Sequence, residues 1–422
     1  MEQLTEEKGF DWKGAKKMEV IRAGAQWKEE ILRFADRIFG EDVQPGGFAE
    51  LIPDVYGPEA ACDGNHLLVL EDEKIRALLL TEPISFVSGG EILKGIGVGT
   101  VSVAEDARGR GFMQLLLKTV REWMTKEGYV FAVLAGQRQR YAYWGYEPME
   151  MKISMHLDAG NGKHGLVRAC AAGGKAGGPD AASNEKTPIT VTADEGISFA
   201  EMEEGSEEEG LAFELFERLP LHTLRQKERF ARHLKSGRCI PLVIRENGRF
   251  AGYMCDSVRN GKHKIAELEL ADMELYPAVL TAYWKQRAPE GFSVELAPFR
   301  IQEFSFLEKV CGSYELCTGH QYYVADLPAM LDFFLRAKQR LTGLSDGEWS
   351  FQVEERLYCC SVKGGNVQVT VGAGKKDKGV KEWEKGELVR FLFGPSSAVF
   401  GLFGAPAGWF PLPLYLPGAD AV

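Results

Sequence analysis

The most constraining stretch of this sequence is Val101–Leu116, in which an apolar segment runs through an Arg-Gly-Arg-Gly loop into an amphipathic segment. This order predicts a strand, a tight turn and a helix that begins near Gly111 and ends near Lys126. The positive end of the helix dipole and its first backbone N–H groups would then face the loop, which suits an anion such as a pyrophosphate. Gly109 and Gly111 carry no Cβ, so the backbone can approach that anion closely.

This loop favours the nucleotide of coenzyme A over other nucleotides. A phosphate loop of the Walker type needs GxxxxGK followed by Ser or Thr, and the loop lacks this pattern. The GxGxxG fingerprint with a downstream acidic residue is missing as well. An ordinary strand-to-helix turn of an α/β protein is the alternative. The predicted cofactor-binding residues are Val101, Ser102, Val103, Arg108, Gly109, Arg110, Gly111, Phe112, Met113 and Gln114, together with Gly136 and Gln137 after the next strand.

The segment Arg108-x-x-Gly111-x-Met113 after a Val-x-Val strand resembles the acetyl-CoA loop of the GNAT N-acetyltransferases, whose last position is usually Gly or Ala rather than Met. Further along, Tyr141-x-x-Trp-Gly-Tyr146 resembles the Eis-type (enhanced intracellular survival) acetyltransferases of that family. The resemblance implies acetyl-CoA as cosubstrate, with its pantetheine arm between two strands that diverge.

The same resemblance implies two catalytic residues. Tyr141 matches the tyrosine that protonates the leaving thiolate in Eis-type enzymes, although it could instead belong to an aromatic core cluster with its neighbours. The C-terminal carboxylate is the general base in that family, which assigns the role to Val422 here, where the family's last residue is commonly aromatic. An α-carboxylate has a pKa near ~3.5, so it is ionised and can accept a proton. The stiff, apolar stretch 409–417 suits docking of this end into a pocket.

A length of 422 residues exceeds what one hydrophobic core usually supports, so several domains are expected. The apolar patterns and the resemblance predict an α/β (α+β) protein with tandem GNAT folds, each a mixed central sheet with helices on both faces, followed by a sterol-carrier-protein-like α+β domain. The predicted divisions are a catalytic acetyl-CoA-binding domain over 1–158, a flexible linker or loop over 159–188, a degenerate second GNAT-like domain over 189–322, and the sterol-carrier-like domain with its docked tail over 323–422.

A second copy of the first-domain pattern follows the predicted linker. Asn247-Gly248 predicts a hairpin between two apolar strands, and Ala271–Pro277 then takes the place of the phosphate loop. This segment has neither glycine nor arginine and carries Asp272 and Glu274. The second copy is therefore expected to wall the acceptor pocket rather than to bind acetyl-CoA.

The composition and charge limit which partners and which cellular location are expected. A net charge of −11 argues against nucleic acid and favours a cationic partner, although acidic surfaces also serve solubility alone. Eight cysteines without a C-x-x-C pair and seven scattered histidines indicate neither a disulfide framework nor a metal site, which fits a reducing cytoplasm. The first residues lack an apolar signal segment, and prolines interrupt the charge-free stretch 391–419, so no membrane association is expected.

The resemblance, together with the composition, implies a cytoplasmic N-acetyltransferase that passes the acetyl group of acetyl-CoA directly to a primary amine in a ternary complex. The expected acceptor is a small cationic amine, aminoglycoside-like or polyamine-like. Two alternatives stay open: a protein lysine acetyltransferase, and a non-enzymatic carrier whose third domain holds an apolar ligand. The family resemblance alone also suggests a homo-oligomer, specifically a hexamer.

Overall fold

The computed structural model describes residues 18–62, 64–171, 196–373, 380–397 and 403–422, and these form three sheets with helices packed on them. The strands of the first sheet are β1 (Met18–Arg22), β2 (His66–Glu71), β3 (Lys74–Ser88), β4 (Glu91–Val103), β5 (Phe131–Leu134), β6 (Glu147–Pro148), β9 (His222–Thr223) and β15 (Gln321–Val324). Their order is β1-β2-β3-β4-β5-β15-β6, with β9 also pairing β3. β4 and β5 are parallel, and the helix α4 (Phe112–Glu127) connects them.

The second sheet repeats this connection. Its strands are β7 (Met151–Asp158), β8 (Ile197–Glu201), β10 (Cys239–Glu246), β11 (Arg249–Arg259), β12 (Lys262–Leu270), β13 (Gly291–Leu296) and β14 (Ser313–Thr318), in the order β14-β7-β13-β12-β11-β10-β8. Again one parallel pair, β12 and β13, is joined by a helix, α10 (Tyr276–Gln286). The hairpin predicted at Asn247-Gly248 is confirmed between β10 and β11. The two sheets are consistent with tandem domains.

The third sheet consists of β16 (Gly347–Val353), β17 (Arg356–Lys363), β18 (Asn366–Ala373) and β19 (Lys381–Trp383), in the order β18-β17-β16-β19. The other helices of the described residues are α1 (Lys28–Phe39), α2 (Gly47–Leu51), α3 (Pro53–Tyr56), α5 (Arg138–Ala142), α6 (Ala159–Asn161), α7 (Val167–Ala171), α8 (Glu207–Glu217), α9 (Phe230–Leu234), α11 (Ile301–Leu307), α12 (Leu327–Thr342) and α13 (Lys385–Phe393). None of the helices in these described ranges is long and apolar enough to cross a membrane.

Three strands lie in a different sheet from the one that the sequence pattern suggests. β9 lies within the predicted second domain but pairs with β3 of the first sheet. β7, predicted in the first domain, pairs with β13 and β14 of the second sheet, because its alternating apolar residues Ile153, Met155 and Leu157 pack into that sheet's core. β15, at the predicted boundary after residue 322, inserts between β5 and β6 of the first sheet. The first and second sheets therefore each contain strands from outside the residue range predicted for them.

The predicted linker over 159–188 begins as ordered structure. Residues 159–171 form α6, one π-helical turn over Gly162–Leu166, and α7. Asp158 caps the start of α6 by accepting a hydrogen bond from the Asn161 N–H at 2.7 Å. The close fit of Gly162 against the Trp284 ring fixes this turn to α10, since an added Cβ would lie 2.2 Å from the indole. The rest of the predicted linker lies outside the described residues.

The C-terminal segment crosses from the third sheet to the first. Trp409, Leu412 and Leu416 are buried in a core that the first and third sheets share. The Leu416 N–H donates to the buried Glu150 carboxylate at 3.2 Å, which fixes the extended chain at that point. Val422 then packs against the core of the first sheet. The tail thus brings the last residue of the sequence to the sheet that carries the glycine loop.

Candidate active site

β4 and β5 separate where the first sheet forms a cleft. Their parallel pairing runs from Gly95 opposite Phe131 to Gly97 opposite Val133, and β4 continues to Val103 without β5 beside it. A β-bulge contributes to this divergence: between the pairs Leu78–Ser102 and Leu80–Gly99, one residue of β3 lies opposite two residues of β4. Thr100 at the bulge has a φ of 49°. The divergence predicted from the resemblance is therefore present.

The glycine loop lies at the open end of this cleft. Gly109 and Gly111 have φ values of 78° and 82°, a conformation that only glycine adopts without strain. Gly111 caps the start of α4, so the first N–H groups of the helix point toward the loop. Arg108 is exposed and makes no ion pair with the described residues, which leaves its charge available for a phosphate. The loop therefore has the anion-binding geometry that its sequence predicts.

A cavity of about 670 Å³ lies between the loop and the divergent end of β4. It is lined by Val101, Ser102, Val103, Arg108, Gly109, Gly111, Phe112, Met113 and Gln114, all predicted cofactor-binding residues, and by Ile38, Ala107, Arg140, Tyr143 and Trp144. The apolar lining and the polar loop together suit a molecule with a phosphate end and an extended arm.

Three of the predicted cofactor-binding residues have other surroundings. The Arg110 guanidinium is paired with the Glu71 carboxylate, one contact measuring 2.9 Å, so its charge is engaged within the protein. Gly136 lines a separate cavity of about 340 Å³, and its carbonyl accepts a hydrogen bond from Gln321 at 2.6 Å. Gln137 directly precedes α5. The sequence predicts Gly136 and Gln137 beside the loop. In the fold, β15 comes from a distant part of the chain, pairs with β5 and contacts Gly136 through Gln321.

Tyr141 lies on α5, just beyond the end of β5, and is almost completely buried. Its ring rests on Gly136, where an added Cβ would lie 2.6 Å from Cε2. Burial raises the pKa of Tyr141, and the neighbouring Arg140 offsets only part of this effect. The phenol therefore keeps its proton at neutral pH. The flanking Arg140, Tyr143 and Trp144 line the large cavity, whereas Tyr141 itself packs in the core.

Val422 lies directly over two glycines of β4. A Cβ on Gly97 would come 2.6 Å from Val422 Cγ2, and a Cβ on Gly99 would come 2.7 Å from the carboxyl carbon of Val422. Both glycines belong to the part of β4 at and beyond the point where β5 leaves it. Val422 can therefore lie this close to β4 only because neither position carries a side chain.

Asp420 anchors the tail two residues before Val422. Its buried carboxylate accepts hydrogen bonds from Arg225 (3.0 and 2.8 Å), Thr223 (3.0 Å) and His233 (2.8 Å). The opposite ring nitrogen of His233 lies 3.3 Å from the Asp54 carboxylate. Burial alone would raise the pKa of Asp420, but the Arg225 charge and the His233 hydrogen bond lower it well below its ordinary value. Since Thr223 lies on β9 and Arg225 also donates to Glu267 on β12, this network joins the tail to the first and second sheets.

Glu82 carries a carboxyl group near the cleft, and no sequence motif predicts it. It lies on β3 opposite Gly97, so its side chain shares the sheet face on which Val422 rests. Asn65 donates to it at 2.8 Å. Burial raises the pKa of Glu82, and the positive charge of Arg229 offsets only part of the rise. The available sequence signal was one acidic residue within the otherwise apolar stretch of β3.

Comparison with known proteins agrees with this geometry. Residues 19–149 match the family model described as the acetyltransferase (GNAT) domain, and this family uses acetyl-CoA. A search of curated proteins gave no match.

Several solved structures share the fold over most of the chain. A GCN5-related N-acetyltransferase from Kribbella flavida is 15% identical, with a TM-score of 0.60 and coverage of 89% of this chain and 88% of that one. Another from Anabaena variabilis is 13% identical, with a TM-score of 0.61 and coverage of 96% and 100%. Eis1 from Mycobacterium abscessus is 12% identical, with a TM-score of 0.55 and coverage of 88% of each chain.

At these identities, the likeness to solved structures concerns the fold. It is a mixed α/β fold of the GNAT type, in agreement with that part of the sequence prediction. The match of residues 19–149, taken together with the N-acetyltransferase structures that share the fold, supports an N-acetyltransferase enzyme with a GNAT acetyltransferase domain over those residues.

Proposed function

We propose that this chain transfers the acetyl group of acetyl-CoA to a primary amine of a small cationic acceptor, with an Eis-like arrangement of two GNAT-like domains and a sterol-carrier-like third domain. The observation that carries the proposal is the position of Val422 over Gly97 and Gly99, where β4 and β5 diverge. This position lets a carboxylate approach an amine bound at the cleft. The acceptor is aminoglycoside-like or polyamine-like, and it is attacked directly in a ternary complex.

The glycine loop and β4 hold the cosubstrate in this proposal. Arg108 and the first N–H groups of α4 bind the pyrophosphate, while the edge of β4 that lacks β5 offers backbone groups to the amides of the pantetheine arm. Bound acetyl-CoA supplies an activated thioester. The backbone near Val103 donates to the thioester oxygen as negative charge develops there. One acetyl-CoA binds per chain, because Ala271–Pro277 of the second domain lacks a glycine loop.

Proton transfers complete the proposed reaction. The Val422 carboxylate takes a proton from the acceptor ammonium, directly or through water, so that the amine can attack the thioester carbon. When the tetrahedral intermediate collapses, the C–S bond breaks and Tyr141 donates its proton to the leaving thiolate. The nitrogen releases its second proton to water, and water returns a proton to the Tyr141 phenolate. Burial favours that protonated phenol beforehand. Glu82 offers a carboxyl oxygen on the same sheet face, which can accept a hydrogen bond from the amine to be acetylated.

A panel of amines tests this function through release of free thiol from acetyl-CoA. Polyamines and aminoglycosides are expected to be acetylated, and peptides with internal lysines are expected to be poor acceptors. Preferential acetylation of lysine peptides would indicate the protein lysine acetyltransferase alternative instead.

The role of Val422 is tested by adding two residues after it, with the same two residues added before Met1 as the control. The C-terminal extension should lower turnover by roughly 10²- to 10⁴-fold without changing the unfolding temperature, because it moves the carboxylate. Full turnover in the folded, C-terminally extended protein would exclude this carboxylate as the base.

A further inference from the structure

The short helix α3 contacts both the tail network and the strand that lines the large cavity. Two of its residues, Asp54 and Tyr56, are buried polar residues. Asp54 contacts His233 on α9 of the second domain, and Tyr56 contacts Thr100 on β4. A single turn of helix therefore lies between the groups that hold Val422 and the strand over which Val422 lies.

Asp54 acts on the tail through His233. Its Oδ2 lies 3.3 Å from Nδ1 of His233, and Nε2 of the same ring lies 2.8 Å from Oδ1 of Asp420. Burial lowers the pKa of His233, but the hydrogen bonds to Asp420 and Asp54 raise it above its ordinary value, so the charged ring donates from both nitrogens. An acceptor at each end fixes the orientation of the ring. Because Asp420 lies two residues before Val422, this orientation affects where the C-terminal carboxylate lies.

Tyr56 supports a strained residue of β4. Its hydroxyl donates a hydrogen bond to Thr100 Oγ1 at 2.8 Å, and burial raises the pKa of Tyr56 far above its ordinary value, so the hydroxyl keeps its proton. The φ of 49° at Thr100 is costly for a β-branched residue and persists only where the surrounding structure holds it. The next residues, Val101–Val103, line the large cavity. The Tyr56 hydrogen bond therefore helps to set the course of β4 along the cavity.

The two contacts of α3 act on adjacent positions of β4. The carboxyl carbon of Val422 lies over Gly99, and Thr100 is the next residue of the strand. Asp54 thus influences the carboxylate from the side of the tail, and Tyr56 influences the strand beneath it. The distance between the carboxylate and the cavity-lining part of β4 depends on both, and catalytic rates are sensitive to shifts of about 1 Å.

We propose that Asp54 and Tyr56 are positioning residues that align the C-terminal carboxylate with the part of β4 that holds the thioester. This inference rests on the proposed function, since it takes Val422 as the general base. Neither residue is among those that line the large cavity, and each acts through the segment that it contacts. Both should therefore affect kcat more than the KM of either substrate.

Steady-state kinetics with acetyl-CoA and spermidine measure this alignment. Asp54→Ala should lower kcat roughly 10- to 100-fold, with both KM values changed less than about 3-fold. Asp54→Asn keeps an oxygen that can accept the Nδ1–H hydrogen bond of His233, so it should restore most of the lost kcat. Tyr56→Phe removes only a hydroxyl and should lower kcat roughly 10-fold. Unchanged kcat in Asp54→Ala and Tyr56→Phe, or a loss confined to KM, would contradict the proposal.

The second sheet offers matched control variants. The buried Asp256 carboxylate is 3.1 Å from Nδ1 of His263 and accepts a hydrogen bond from Tyr283 at 2.7 Å. Tyr283 belongs to the core of the second sheet, whereas Ala419 of the tail packs in a different core. Asp256→Ala and Tyr283→Phe should therefore lower the unfolding temperature without changing kcat. Equal kcat losses in these controls and in the α3 variants would assign the effect to general destabilisation and overturn the proposal.

Carboxypeptidase digestion reports the position of the tail without an acceptor. Asp54→Ala should release Val422 several-fold faster than the native protein and Asp256→Ala do, because His233 no longer holds Asp420 in one orientation. Equal release rates would refute the role of Asp54 even if spermidine is not acetylated. The C-terminal extension tests the proposed function separately. Normal turnover of the extended protein rejects Val422 as the base, whereas lost turnover there with unchanged kcat and Val422 release in Asp54→Ala rejects only the positioning role.

Discussion

Arg225 and Asp420 form a two-point ion pair in the protein interior, with Nε 3.0 Å from Oδ1 and Nη2 2.8 Å from Oδ2. The same guanidinium also donates two hydrogen bonds to Glu267, and its side chain is fully buried. Because one arginine bridges the tail and the second sheet, the position of the last residues depends on a domain that carries no glycine loop. The second domain therefore helps to position the tail at the cleft.

Replacing Asp420 with Asn should destabilise the protein substantially. The change leaves Arg225 and His233 without their shared anion, and breaking a buried ion pair costs about 3–5 kcal/mol. Asp332→Asn is the matched control, because Asp332 forms a comparable pair with Arg336 on a partly exposed helix surface. Its expected cost is about 0.2–1 kcal/mol. Urea unfolding measures both variants, and equal losses would show that the interior network has no special role.

Stability should depend on pH through His233. Burial lowers the pKa of this imidazole, but the hydrogen bonds to Asp420 and Asp54 outweigh burial and raise it above 6.5. The charged form therefore contributes stability that is complete below pH 6.5 and disappears as the pH rises through the folded-state pKa. The difference in unfolding free energy between the native protein and His233→Gln should shrink as the pH rises from 6.5 through the folded-state pKa of His233. A difference that stays constant across this range would show that His233 is not charged in the folded state.

Gly99→Ala should impair turnover while leaving acetyl-CoA affinity nearly unchanged. The added Cβ would lie 2.7 Å from the Val422 carboxyl carbon, so the tail must move. Displacing a catalytic group by about 1 Å can cost on the order of 10²-fold in rate. Gly372→Ala, on β18, is the control because its Cβ would meet nothing within 4 Å. Equal kcat values for the two variants would show that the position of Val422 does not affect catalysis.

The two arginines of the glycine loop should differ in their effect on acetyl-CoA binding. Arg108→Gln removes the charge that is available to a phosphate and should raise Kd roughly 10- to 100-fold, the range for hydrogen bonds to charged groups. Arg110→Gln breaks the pair with Glu71 and should change Kd by only a few-fold. Calorimetry with acetyl-CoA measures both values. A larger effect at Arg110 would contradict the role assigned to Arg108.

Tyr141→Phe should lower turnover by roughly 10²- to 10⁴-fold, the usual contribution of a general acid, with little change in acetyl-CoA affinity. Tyr143→Phe is the control, since Tyr143 is 80% exposed and lines the cavity from its outer side. If the Tyr141→Phe variant has normal turnover, Tyr141 only contributes to packing, and water protonates the thiolate.

Local features could be predicted from the sequence because local chemistry determines them. Gly111 begins α4, and Asn247-Gly248 joins β10 to β11, at the positions that the sequence pattern indicates. The glycine loop likewise depends on contiguous residues, and nine of the predicted cofactor-binding residues line one cavity. Helix boundaries were close as well: the helix predicted from near Gly111 to near Lys126 spans Phe112–Glu127.

Long-range placement could not be predicted in this way. The hydrogen bonds of Asp420 with Arg225 join residues 195 positions apart, and no spacing rule relates them. Glu82 becomes notable only through its pairing with Gly97, because a single acidic residue in a strand is a weak signal. The surroundings of Gly136 could not be predicted either, because they depend on β15, which comes from a distant part of the chain.

The insertion of β15 has a consequence for how the chain is made. At synthesis rates of about 5–20 residues per second, the roughly 190 residues from β5 to β15 take on the order of 10–40 s to emerge from the ribosome. During that time the apolar strand Phe131–Leu134 has no β15 along its outer edge, and such an edge can pair with other chains. The nascent first domain is therefore most exposed to aggregation while the second domain is still being synthesised, and protection by a chaperone is needed most in that interval.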